Sequence, residues 1–168
     1  MRYHNITYPD MNNGDGLRVV LWLSGCNHHC PKCQNPQTWN PESGILFEGE
    51  AENELFDELK KDYISGITFS GGDPFHENNI EDVLNLINKI RILFGESKTI
   101  WLYSGYTFEQ CLEDKQRYET LKQCDVFVDG RYIDALKDVT LRWRGSSNQR
   151  VIDVKQSLKN KEIILLTE

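Results

Sequence analysis

The chain has 168 residues, 39% of them hydrophobic and 27% charged, which suits one globular domain around a single core. A formal net charge of −7 argues against a broad nucleic-acid or anionic-membrane surface, and no run of about 18 apolar residues offers a membrane span. The first residues lack the apolar stretch of a secretory signal, so a single cytoplasmic domain over 1–168 is expected, with its core over about 3–150 and a less defined tail over 151–168.

Residues 17–23 read as a first strand, ended by Ser24-Gly25. A polar loop bearing Cys26, Cys30 and Cys33 follows to about Gly49, punctuated by Pro31, Pro36 and Pro41. Residues 51–63 predict a helix with Leu55, Phe56, Leu59 and Tyr63 on one face, and Gly66 breaks it before a strand at 67–69. The clearest helix is 77–94, where Ile80, Val83, Leu84, Ile87 and Ile90 keep a period near 3.6. A third strand at 99–103 ends in Ser104-Gly105. Thr107 with Gln110 forms a capping box for a third helix that turns Phe108, Cys111 and Leu112 inward. Residues 125–129 read as a fourth strand, and 150–154 and 162–166 as two more, paired as a terminal hairpin.

Strands alternating with helices imply an α/β fold of parallel βα units, in which chemistry gathers at the carboxyl ends of the strands. The unusual residues fall there: the cysteine loop, Ser70-Gly71-Gly72-Asp73-Pro74, Tyr103-Ser104-Gly105-Tyr106 and Asp129-Gly130-Arg131. Of five cysteines, three follow a C-x3-C-x2-C spacing, and clustered cysteines in a cytosolic chain bind metal more often than they form disulfides. Three thiolates can ligate three irons of a cubane and leave the fourth open. A structural zinc site of the three cysteines with His28 or His29 is the alternative, and a plain electron carrier would need a fourth cysteine. Cys111 and Cys124 read as small buried hydrophobes. Gly71-Gly72 lets backbone approach a ligand closely, but no Gly-Lys-Ser/Thr follows to make a phosphate loop. Arg142, Arg144 and Arg150 form a local basic patch or a solvated loop.

The C-x3-C-x2-C loop after the first strand, with Gly71-Gly72-Asp73-Pro74 after the second, resembles the radical S-adenosylmethionine (SAM) superfamily. Within it the chain resembles the activating proteins of anaerobic (class III) ribonucleotide reductases. The match runs through Tyr8-Pro9, Asn13-Gly14-Asp15-Gly16, the cysteine loop with Asn35, Thr38-Trp39, and the segments 70–74, 101–106, 125–132 and 143–150. Asp15 stands where the family usually has proline, and Lys32 where it has a smaller residue.

The resemblance implies a partial, open parallel βα barrel of about four to six units. It implies a 4Fe–4S cluster on Cys26, Cys30 and Cys33, with SAM chelating the open iron. The Gly71-Gly72-Asp73 backbone is expected at the methionine amino group, Lys32, Cys33 and Gln34 beside SAM, and Ser104 and Asp129 near its methionine or ribose. No catalytic side chain is expected beyond cluster and SAM. A reduced flavodoxin-like donor supplies an electron, SAM is cleaved to methionine and a 5′-deoxyadenosyl radical, and this takes an α-hydrogen from a glycine of the large reductase subunit. Arg144, Gly145, Ser146, Ser147 and Asn148 are expected to face that partner. An activase of the pyruvate formate-lyase type, or a non-catalytic zinc-binding interaction module, are the alternatives.

Overall fold

A computed structural model of the protein describes residues 1–167. In chain order the elements are β1 (Arg2–Asp10), β2 (Arg18–Leu23), β3 (Ile45–Leu46), α1 (Glu50–Leu59), β4 (Gly66–Gly71), α2 (Ile80–Phe94), β5 (Thr99–Ser104), α3 (Phe108–Glu113), α4 (Lys115–Leu121), β6 (Val126–Asp129), β7 (Arg150–Asp153), α5 (Val154–Asn160) and β8 (Leu165–Thr167). All eight strands join one unclosed sheet in the order β3-β1-β2-β4-β5-β6-β7-β8. The central β2, β4, β5 and β6 run parallel, while β1 with β3 and β7 with β8 flank them antiparallel.

The antiparallel flanks depart from a purely parallel reading. β1 carries no strong signal because only Tyr3 and Ile6 are buried along it. The tail strands do pair, but α5 lies between them instead of a hairpin turn. α1 stops at Leu59 and leaves Tyr63 exposed, Leu112 of α3 is exposed, and Leu86, not Leu84, joins the buried face of α2. The Thr107–Gln110 capping box is present, with both reciprocal bonds made.

Side chains alternate across each strand, so the sheet has two different faces. Val19, Leu21, Ile67, Phe69, Ile100, Leu102 and Phe127 pack beneath Leu55, Leu59, Val83, Ile87, Ile90, Phe108, Leu121 and Val154 from all five helices. The other face carries Trp101, Val126, Val128 and Val151, with Tyr103 and Trp143 against them. Loops rather than helices cover this second face.

Arg18 anchors one of those loops. Its side chain is fully buried without a carboxylate partner, and five N–H groups are met by neutral oxygens: Thr68 Oγ1, Asp15 O, Thr99 Oγ1, Ile67 O and Thr99 O. Burial pulls its pKa down to about 10, which leaves the guanidinium charged at neutral pH. Thr68 Oγ1 donates in turn to Asn13 O at 2.7 Å. Gly14, at φ +132°, passes so close that a Cβ there would meet Arg18 Cδ at 2.7 Å. The segment 13–16 is therefore held across the open face. Arg18→Met should lower the unfolding free energy by about 3 kcal/mol at unchanged m-value in urea, because buried acceptors lose their donors. A loss below about 1 kcal/mol would contradict this account.

Candidate cofactor site

A cavity of about 430 Å³ opens on the loop-covered face at the carboxyl ends of the parallel strands. That volume lies in the range of small-molecule sites. The structure brings all four strand-end loops to it: Cys26, Cys30 and Cys33 after β2, Ser70 to Asp73 after β4, Tyr103 to Gly105 after β5, and Gly130 to Tyr132 after β6. Trp22, Val128, Trp143, Arg144 and Gly145 complete the lining.

The cysteine loop is tied down at its ends. Gly25 N donates to Thr38 O at 2.6 Å and Cys26 N to Trp39 O at 3.0 Å, while Cys33 N closes a turn on Cys30 O. His29 (φ +48°) and Lys32 (φ +59°) supply its left-handed turns, and the His29 ring stacks on Trp39 at 4.6 Å. All three thiols are free and half-buried. Burial pushes the Cys26 thiol up to about 11, against backbone N–H groups of His28 and His29 that favour the thiolate. Burial also raises Cys30.

The Gly71-Gly72-Asp73 turn is shaped by the chain itself. A Cβ on Gly71 would lie 2.4 Å from Leu23 N, and one on Gly72 2.5 Å from Gly25 O. Gly72 N donates to Leu23 O and Asp73 N to Gly25 O. The Asp73 side chain is 2% exposed and accepts from Phe75 N (2.8 Å), Ser104 Oγ (2.9 Å), Gly105 N (3.0 Å) and the His28 ring (2.7 Å). Asp73 thus joins three of the four rim loops.

Other expected site residues sit differently. Gln34 and Ser104 line the cavity, but the Ser104 hydroxyl already serves Asp73. Lys32 does not line it; its side chain is 78% exposed and pairs with Asp134 at 3.3 Å. Asp129 is set back from the cavity lining. Its carboxylate is buried behind the rim, held by Arg150 at 3.0 and 2.5 Å and by Phe108 N at 2.8 Å, where it supports the start of α3. The segment expected to face the partner divides between buried, cavity-lining and exposed residues. Ser146 is fully buried, its hydroxyl accepting from Ile133 N, and Asn148 Nδ2 donates to Arg131 O. Arg144 and Gly145 face the cavity, and Ser147 is the exposed member.

Sequence reasoning placed Tyr103 on the rim but passed over Trp22 and Trp143 as lining residues. The alternation that puts Leu21 beneath the helices was the signal for Trp22. Cys111 and Cys124 are fully buried, and burial raises both thiols, Cys124 to about 12.

Three free thiols on one wall fit an iron–sulfur donor set. Neither histidine completes a zinc set: both His28 ring nitrogens are engaged, and His29 lies against Trp39. Among the described residues, no three His, Cys, Asp or Glu side chains converge on one metal-ion position. Arg144 Nε is buried without a protein partner at the cavity, a donor suited to a bound acceptor. Among the described residues no helix is long and apolar enough to cross a membrane.

A family model described as a 4Fe-4S single cluster domain matches residues 12–152. The chain is 44% identical over 151 residues to the anaerobic ribonucleoside-triphosphate reductase-activating protein of Enterobacteria phage T4, covering 90% of this chain and 93% of that protein. It is 39% identical over 153 residues to the protein of the same name from Escherichia coli K12, covering 90% and 97%. The namesake from Haemophilus influenzae is 39% identical over 145 residues, covering 84% and 92%.

Asp129→Ala should cost about 1–2 kcal/mol of stability, because Phe108 N at the start of α3 loses its buried acceptor while Arg150 keeps Glu109; an unchanged thermal midpoint would contradict this supporting role. In cluster-free protein, iodoacetamide should label Cys26 slowly at pH 8, with a rate that climbs until about pH 11. The raised pKa keeps this thiol protonated until then, so a rate that levels off below pH 9 would contradict its burial.

Proposed function

Because the chain belongs to the family of anaerobic ribonucleoside-triphosphate reductase-activating proteins, built on a 4Fe-4S single cluster domain, we propose that it activates an anaerobic ribonucleotide reductase as a radical SAM enzyme, by forming a glycyl radical on the large subunit. When bound, a 4Fe–4S cluster supplies the electron that cleaves SAM to methionine and a 5′-deoxyadenosyl radical, which takes the glycine α-hydrogen. A reduced flavodoxin-like protein in the cytoplasm is the proposed electron source.

The observation that carries this reading is the convergence of the three thiols and the Gly71-Gly72-Asp73 turn on one cavity. Cys26, Cys30 and Cys33 are the cluster ligands. With the Gly72 and Asp73 N–H groups spent on Leu23 and Gly25, and the Asp73 carbonyl on His76 and Asn79, the turn is left with the carbonyl oxygens of its glycines, which suit the ammonium group of methionine. Arg144 Nε suits a carboxylate. Trp22, Tyr103 and Trp143 limit water on the inner wall, and Tyr103 holds the Trp143 carbonyl with its hydroxyl at 2.7 Å. The parallel strands β2, β4, β5 and β6 are read as the core of an open radical SAM barrel, whose unclosed side admits a polypeptide substrate.

Anaerobic reconstitution with iron and sulfide, dithionite reduction and electron paramagnetic resonance test the proposal. A reduced-cluster signal that changes on SAM addition, 5′-deoxyadenosine release, and a glycyl signal on added reductase are expected. A colourless protein that retains zinc and does not respond to SAM would refute it.

A further inference from the structure

His28 lies between two of the cysteines, yet its side chain turns away from a ligand role and is 4% exposed. Arg131 Nε donates to His28 Nδ1 at 3.1 Å. An arginine has no acceptor, so Nδ1 carries the lone pair and the neutral ring bears its proton on Nε2. That proton is donated to Asp73 Oδ2 at 2.7 Å. The ring also meets Tyr106 edge-on at 4.6 Å. Gly105 makes room for it, since a Cβ there would come within 2.5 Å of His28 Cδ2. One imidazole thus touches the loops after β4, β5 and β6 from within the cysteine loop.

We propose that His28 is a positioning residue, pinning the cysteine loop to the Gly71-Gly72-Asp73 turn so that the thiols and the ligand-binding turn keep one separation with or without a bound cofactor. The geometry favours this over a packing role. A packing residue needs shape alone, whereas here a directional donor and a directional acceptor are both engaged, by partners 45 and 103 residues away. Asp73 keeps three other donors when the imidazole is lost, so the turn survives; its backbone bond to Gly25 still holds the start of the cysteine loop, and what is lost is the side-chain link within the loop, between Cys26 and Cys30. The inference rests on the radical SAM reading for the identity of the ligand, and not for the existence of the link.

Three variants test it. His28→Phe keeps a flat ring and loses both bonds; His28→Gln keeps a donor and an acceptor; Arg131→Met removes only the exposed partner. In the cluster-free chain, amide hydrogen exchange over residues 26–34 should accelerate about tenfold in His28→Phe with α2 unchanged, and stay within about threefold of wild type in His28→Gln. Exchange in His28→Phe within about threefold of wild type overturns the proposal. If His28→Phe loosens α2 as well, the two factors decide: acceleration over 26–34 about tenfold beyond that of α2 supports the link, and equal acceleration overturns it, while Arg131→Met, which leaves the Asp73 bond in place, should stay within about threefold of wild type. In reconstituted protein of matched iron content, the SAM concentration that half-converts the paramagnetic signal should rise about tenfold in His28→Phe and recover in His28→Gln. An unchanged midpoint overturns the proposal. A wild-type protein with no SAM response refutes the proposed function instead, and the exchange measurement still decides the role of His28.

Discussion

A carboxylate buried to 2% exposure must have its oxygens met by donors, and at Asp73 that requirement organises the upper end of the sheet. Its donors come from its own turn (Phe75 N), from the loop after β5 (Ser104 and Gly105) and from the cysteine loop (His28). A shift of any of these loops takes at least one donor from the buried carboxylate. Asn79, just before α2, braces the same corner by donating to Ser24 O and Asp73 O. The two glycines ahead of Asp73 let the end of β4 pass close to the end of β2, which brings the carboxylate within reach of its partners.

Arg18 plays the reciprocal part at the start of the strands. There a buried cation is neutralised by no acid and is satisfied instead by carbonyls and hydroxyls from three segments. Between these two fixed points the sheet divides its labour. One face gives its apolar side chains to the helices, and the other keeps aromatic and small polar side chains under loops. A sheet clothed in helices on one side only has a second surface available for chemistry.

What the sequence revealed follows from how each signal arises. The parallel strands were legible because they are buried on both faces and read as continuous β-branched and aromatic runs. β1 was not, since half of its residues face water, and α4 was not, since it is short and buries only Thr120 and Leu121. The cysteines announced themselves by spacing, which is local information. Asp129 is expected beside SAM from the resemblance; its pairing with Arg150 was not legible, because 150–154 reads as a strand but nothing local says that it lies antiparallel beside β6. The bonds of His28 depend likewise on residues distant in the chain. The family resemblance, carried by motifs along most of the chain, agrees with the relatives found.

No residue between Ser24 and Leu46 belongs to either apolar cluster, and the cysteine loop is moored by backbone hydrogen bonds and by Asp73. The fold therefore draws its stability from elsewhere, unlike a small zinc domain whose metal provides the folding energy. Emptying the cysteine wall should leave the scaffold standing, so that filling the site is a binding step on a folded chain and not a folding step.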